Sequence, residues 1–251
     1  MEFDLAGRLN HGIWGFAANR FLQVGRGFLS VERRLLRWLG AYCIARREVL
    51  QRLLDKFQNP LDGFAQKNEN PEKIVEKFHS VLLDVMKEAK SLSAKERYIK
   101  LEPAIDTAYD LGFMVRVASG TAWRKTSDDH KIKLAKAFRR MSIATYAFRF
   151  KGYSGQRFET LKVGNGPRKT KLVFTQIISP PKKNTKREIK VKLTYVTKNI
   201  KGKWKIIDVL LDGGISELSV KHSEFRRILR TKGAFVLAEL LDKKADKLVA
   251  N

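Results

Sequence analysis

The sequence predicts an α+β protein: helices first, then a curved four-stranded antiparallel sheet, then two closing helices. Three observations predict it. Apolar residues recur at three- and four-residue steps from about Pro71 to Phe150, and then alternate with polar ones. Gly152, Gly155, Gly164 and Gly166 punctuate the change, as turns between short strands require. Helical spacing returns after the Asp212-Gly213-Gly214 turn. Helices and strands segregated in this way give α+β rather than alternating α/β, and strands joined by short turns form an antiparallel meander.

Residues 1–30 are glycine-rich and weakly patterned. A helical pattern runs from about Val31 to Phe57 through Leu35, Leu36, Trp38, Leu39, Tyr42, Leu50, Leu53 and Leu54. Asn59-Pro60 ends it, and residues 59–71 read as a linker. Residues 1–70 are therefore expected to form an N-terminal helical extension, and residues 71–251 the main domain. Arg33, Arg34 and Arg37 precede a short apolar run from Trp38 to Ala45. Arg46-Arg47-Glu48 follows in place of a small-residue cleavage site, so an amphipathic helix is a better reading than a signal peptide.

Pro71 suits a first helical position, where its missing N–H costs nothing. The helix after it carries Ile74, Val75, Phe78, Val81, Leu82, Val85 and Met86 on one face. Residues 91–95 break it. A further helix is expected from about Pro103, through Ile105, Ala108, Tyr109, Phe113, Met114 and Val117, to Gly120. Ser127-Asp128-Asp129 reads as an N-cap for a helix holding Ile132, Leu134, Ala135, Phe138, Met141, Ile143, Tyr146 and Phe150. Strands are expected over 156–163, 170–179, 186–197 and 203–211. In the third, Ile189, Val191, Leu193 and Tyr195 face one way, and Lys190, Lys192 and Thr194 the other. Residues 182–184 and 199–202 supply turns.

The net charge is +25, and its placement says more than its size. Between Arg149 and Lys205 there are seventeen Lys or Arg residues against two acids, Glu159 and Glu188. The strand region therefore carries a basic face, one that attracts nucleic acid, anionic membrane or phospholipid head groups. No apolar run approaches the roughly 20 residues of a spanning helix, so a soluble or peripheral protein is expected. Cys43 is alone, so no intrachain disulfide can form. His11, His79, His130 and His222 lack ligand spacing, and no metal is expected.

No catalytic constellation is legible. Phosphate-binding glycine loops, nucleophile elbows and His-Glu-x-x-His are all missing from the sequence. Asp208 and Asp212 share a strand parity and could act as an acid–base pair. The plainer reading gives Asp212 to the turn and Asp208 to a lysine or a helix terminus. Trp123, Tyr146, Phe174, Tyr195 and Trp204 could stack on bases. Tyr146 and Tyr195, however, lie on apolar rows and fit a core better, which leaves charge as the one argument for nucleic acid.

Four stretches carry a resemblance, in type and in order. They are GTAWRKTSDDHK, FRRMSIATYAFRFKGY, VKLTYVTKNIKGKWKIIDVLLDGGISEL and SEFRRIL, followed by Gly233 and a last apolar helix. Over about residues 71–247 the chain resembles the MlaC family of periplasmic phospholipid-binding proteins, and within it the hopanoid-associated HpnM branch. The resemblance implies an NTF2-like curved sheet covered by helices. It implies an apolar pocket that takes the acyl chains of a phospholipid or hopanoid-like lipid as cargo, with no cofactor and no covalent chemistry. It also implies a periplasmic location, with the MCE-type subunit of an inner-membrane ABC transporter and an outer-membrane lipoprotein complex as partners. An anionic membrane surface would suit the basic sheet face. A nucleic-acid-binding module and an NTF2-like small-molecule enzyme are the rival readings.

Carriage through water sets a physical requirement. An exposed sixteen-carbon chain costs on the order of 12 kcal/mol at about 0.8 kcal/mol per CH₂, so a carrier must offer apolar wall in its place. Expected lining is Phe113, Val117, Phe138, Tyr146, Phe174, Val191, Leu193, Tyr195 and Ile206, with Tyr146 and Tyr195 near the polar mouth. For each of these, plain core packing is the competing reading.

Overall fold

The structure, a computed structural model, describes residues 70–181, 187–212 and 214–250. The helix expected over 31–57, the linker and the turn at 182–184 lie outside the described residues. The first described helix, α1 (Pro71–Glu88), begins as its sequence requires: Pro71 sits in its first turn and the Asn70 side chain accepts from the Glu72 N–H. Its buried stripe of Ile74, Val75, Phe78, Leu82, Val85 and Met86 lies against the sheet.

The helix expected to start near Pro103 is two helices, the first with an earlier origin. Ser93 and Glu96 form a capping box that opens α2 (Ala94–Ala108), so Pro103 lies inside a helix. The proline removes the bond to the Ile99 carbonyl, and Ile99 is exposed, where water can replace it. At Tyr109 the backbone turns extended and bridges to Ile206, while the Asp110 N–H donates to the Ile206 carbonyl at 2.9 Å. Lys205 Nζ donates to the carbonyls of Asp106 and Thr107, closing the end of α2. Asp110 then caps α3 (Leu111–Ser119) by accepting from the Phe113 N–H at 2.8 Å. A short α4 (Ala122–Lys125) leads to α5 (Asp128–Arg149). Ser127 holds the N-cap position of α5, though its side chain makes no capping bond, and Ile132 points to solvent.

The described residues form a five-stranded antiparallel sheet in the order β1 (Arg157–Asn165), β2 (Thr170–Ser179), β3 (Ile189–Ile200), β4 (Lys203–Leu211), β5 (Ile215–Ser216). This corrects the expected four. The fifth strand pairs Ile215 and Ser216 with Leu211 and Leu210, and two residues are too few to show alternation in a sequence. Register shifts interrupt the β1–β2 pairing between Thr160 and Lys162 and the β3–β4 pairing between Val196 and Thr197, where Ile207 of β4 is the extra residue. Such bulges bend and twist a sheet. At the β3–β4 turn Lys201 and Gly202 both take positive φ, 50° and 85°, as a tight hairpin needs.

Register assigns the faces. Val173, Tyr195 and Val209 pair across three strands and belong to the helix-covered core, as do Leu193, Ile206, Phe158 and Ile177. Phe174, Thr194, Lys162, Lys190, Lys192 and Lys198 fall on the opposite parity, so the basic face is real and turned away from the helices.

Two helices close the chain. In α6 (Glu217–Thr231) the Ser216 hydroxyl accepts from the Ser219 N–H. Helix α7 (Gly233–Ala250) packs along α5, and α6 packs on α3 and β4. Arg97 is buried and pins the helical layer, donating to the carbonyls of Ala147 at 3.0 Å and Leu92 at 2.5 Å.

Candidate functional site

One face of α5 carries Phe138, Met141, Ser142, Thr145, Tyr146 and Arg149 at helical spacing, running from a phenyl ring to a guanidinium over three turns. These side chains line a cavity, with Ile105 and Tyr109 from the end of α2, Leu111 and Met114 from α3, and Glu217, Leu218 and Lys221 from α6. The floor is apolar and the rim is charged. The hydroxyls of Ser142 and Thr145 turn back to the carbonyls of Phe138 and Met141, and so spend their donors within the helix.

Beneath the rim the polar groups pair off. The hydroxyls of Tyr109 and Tyr146 meet at 2.5 Å, and the Phe78 ring lies edge-on to both. Burial pushes both phenols above the ordinary tyrosine range. Next to them His79 Nε2 shares a 2.9 Å hydrogen bond with the Tyr195 hydroxyl, and Phe158 stacks on the imidazole at 4.3 Å. Burial lowers the His79 pKa to about 4, so the ring is neutral at pH 7.

The rim is an ion cluster. Arg149 approaches Glu217 at 3.6 Å, and Lys221 approaches Glu224 at 3.0 Å. Burial raises the Glu217 carboxyl, opposed by the charges of Arg149 and Lys221. Lys244 stands within this field, and burial, with Lys221 and Arg149 adding, lowers its pKa to about 8. Asp208 accepts from the Ser216 hydroxyl at 2.6 Å and from the Val209 and Leu218 N–H groups, which makes it the anchor of the α6 N-terminus. It is not half of a carboxylate pair.

The cavity measures about 40 Å³. A water needs roughly 10–15 Å³ of such space and a ligand pocket about 300–1,000 Å³, so this cavity is too small for hydrocarbon chains as it stands. An open groove of about 430 Å³ shares Tyr109 and Leu111 with the cavity and is lined otherwise by Asp106, Asp110, Gly112, Arg139, Ile200, Lys203 and Lys205.

Of the expected lining residues, Phe138 and Tyr146 meet in the cavity. Leu193, Tyr195 and Ile206 are buried in the core beside it, and Val191 is half-buried on the same sheet face. Tyr195 is 2% exposed with its hydroxyl on His79, so it does not stand near a mouth. Phe113 lies under the Arg116 guanidinium, and Val117 is 40% exposed. Phe174 is on the outer sheet face with Lys162 Nζ 5.0 Å from its ring centre. Sequence reasoning missed the rim of Arg149, Glu217 and Lys221, and also missed Tyr109 as a lining residue. The available signal was the run 138, 141, 145, 149 on one helical face, whose last member is a cation in an otherwise apolar row.

Among the described residues no cluster of His, Cys, Asp and Glu could hold a metal ion, and no helix is long and apolar enough to cross a membrane. The family model described as MlaC protein matches residues 65–243. The fold is similar to a solved phospholipid-binding protein from Ralstonia solanacearum in complex with a phospholipid. That match has a TM-score of 0.59 and 16% identity, and it covers 71% of this chain and 98% of that one. No curated protein matches the chain.

Proposed function

The chain belongs to the MlaC family, and from that premise we propose that it binds a phospholipid, with acyl chains entering the cavity between α3, α5 and α6. One observation carries this reading: a single face of α5 runs from apolar Phe138 and Met141 to Arg149 at a charged rim, matching an amphiphile end to end. The likeness to a phospholipid-binding protein of the same fold supports it. Because the closed cavity is about 40 Å³, loading parts α3 and α6 from α5. The helices meet there through side chains, while β5 and Asp208 keep the first turn of α6 anchored to the sheet.

Finer expectations belong to the same reading. The curved sheet wrapped by helices is taken as NTF2-like, residues 71–251 as the lipid-binding domain and 1–70 as an extension. The protein acts as a soluble periplasmic shuttle that exchanges lipid with the MCE-type subunit of an ABC transporter and with an outer-membrane lipoprotein complex. A hopanoid-like lipid is the alternative cargo. The lysines of the outer sheet face hold the carrier at an anionic membrane surface during exchange. Binding is favoured over catalysis because the titratable groups near the cavity are engaged with one another: Glu217 with Arg149, Tyr109 with Tyr146, His79 with Tyr195.

The test is organic extraction of the purified protein and mass spectrometry of the extract, paired with uptake of labelled phospholipid from vesicles. Lipid recovered in proportion to protein, and saturable uptake, are expected. Absence of both defeats the reading.

A further inference from the structure

The rim holds an internal carboxylate where an amphiphile's phosphate would lie. Glu217, the first residue of α6, lines the cavity and faces Arg149. Their contact is single and long, 3.6 Å, whereas a well-made guanidinium–carboxylate pair is bidentate at about 2.7–2.9 Å. The Glu217 side chain is 23% exposed against 39% for Arg149, so the acid is the more deeply drawn of the two. It has given up much of its water for a partner that only partly replaces it. The other acids at the rim are committed elsewhere. Glu224 binds Lys221 at 3.0 Å and does not line the cavity, and Asp208 is tied to Ser216 and the α6 backbone. The amides of the α6 N-terminus are held by Asp208 and Ser216 and are not free for a ligand. Arg149 is therefore the rim cation whose counter-ion is most easily exchanged.

We propose that Glu217 is a built-in stand-in for the phosphate of the cargo. In the empty protein it occupies Arg149 and holds the mouth closed; an arriving phosphate displaces the Glu217 side chain, while Asp208 and β5 keep the first turn of α6 in place. The inference rests on the phospholipid reading of this cavity and adds to it a selectivity rule. A ligand with a phosphate opens the mouth by taking Arg149, and an equally apolar ligand without one must open it against the Arg149–Glu217 contact. Because the carboxylate competes for Arg149, removing its charge strengthens binding of a phosphate-bearing lipid.

The test uses the delipidated full chain and two probes with the same acyl chains, dihexanoylphosphatidylglycerol and dihexanoylglycerol, titrated by calorimetry. Glu217→Gln is expected to tighten the phosphatidylglycerol by about fivefold, the size of a half-exposed ion pair, and to leave the phosphate-free probe within error. Glu217→Asp, which shortens the reach by one methylene, shifts affinity the same way by less and serves if the glutamine variant folds poorly. Arg149→Gln weakens the phosphatidylglycerol, and in that background Glu217→Gln has no further effect. Unchanged phosphatidylglycerol affinity in Glu217→Gln overturns the inference, as does equal tightening of both probes, which would mean a loosened fold. Wild-type protein that binds neither probe, and carries no lipid from purification, overturns the underlying lipid reading as well.

Discussion

His79 is an uncharged imidazole in the middle of the core, and its neutrality makes stability depend on pH. Burial holds its pKa at about 4, against 6.5 in an unfolded chain. As pH falls below 6.5 the unfolded chain takes up the proton first. Stability supplied by the neutral ring is complete above pH 6.5 and is lost as pH falls towards 4, an effect of about 3 kcal/mol. His79→Gln keeps a polar partner for Tyr195 and removes the titration. Urea midpoints at pH 7 and pH 4.5 should therefore separate more in wild type than in the variant; equal separations would count against this account. A sequence does not disclose such a group. His79 follows Phe78 on an apolar stripe, which marks it as buried, but its partner Tyr195 is 116 residues away. The Tyr109–Tyr146 pair spans 37 residues, and the Arg149–Glu217 contact joins two elements on either side of the sheet in sequence. Spacing rules act within one element, so they put Phe138 and Tyr146 on one helical face and could not assemble the rim.

Among elements, the joint between α3 and α6 is the most sharply specified. Gly120 ends α3 at φ 58°, ψ −136°, a region open to glycine alone. A Cβ there would meet the imidazole Cε1 of His222 at 2.6 Å, while Nδ1 of that ring bonds the Ala118 carbonyl at 3.0 Å. Gly120→Ala should cost roughly 2–4 kcal/mol from strain plus overpacking. Thermal unfolding with and without His222→Ala checks it, since the second change should recover the steric share but not the backbone share. The two helices it joins also line the cavity, through Leu111 and Met114 of α3 and Leu218 and Lys221 of α6, so the alanine variant should lose lipid uptake along with stability. Element reading from sequence succeeded where one rule governed. Strand β2 and strand β4 lie at the expected residues because turn residues bound a β-rich run at each end. It failed where two rules competed. Pro103 reads as a helix start, but the Ser93–Glu96 capping box opens the helix first and the proline is carried inside it. Strand β2 is apolar on both parities, so nothing in the sequence said that Val173 rather than Phe174 faces the helices.

At the scale of the molecule, the charge separation was legible and the void was not. Alternation puts Lys190 and Lys192 on one sheet face by geometry alone, and register confirms that this face is turned away from the core. Arg157 on the same face is partly neutralised by Glu159 and Glu188. Vesicles containing phosphatidylglycerol should bind the protein in a strongly salt-dependent way. The double variant Lys190→Glu, Lys192→Glu should weaken cosedimentation by on the order of tenfold or more, at roughly 1 kcal/mol per lysine near an anionic surface. Uptake of lipid from detergent, which needs no surface, should be unaffected. The cavity was not legible because side-chain identity fixes what lines a space and not how much of it stays open. The small volume of that cavity carries its own thermodynamic message. Holding even 300 Å³ of greasy space vacant would cost about 7 kcal/mol at roughly 24 cal/mol per Å³. Walls that come together when unoccupied avoid that penalty, so a guest must wedge apart surfaces that favour each other. On the proposed lipid reading the same preference would work in reverse: as a tail slid out, the walls would zip shut behind it, and release would be favoured from within the protein.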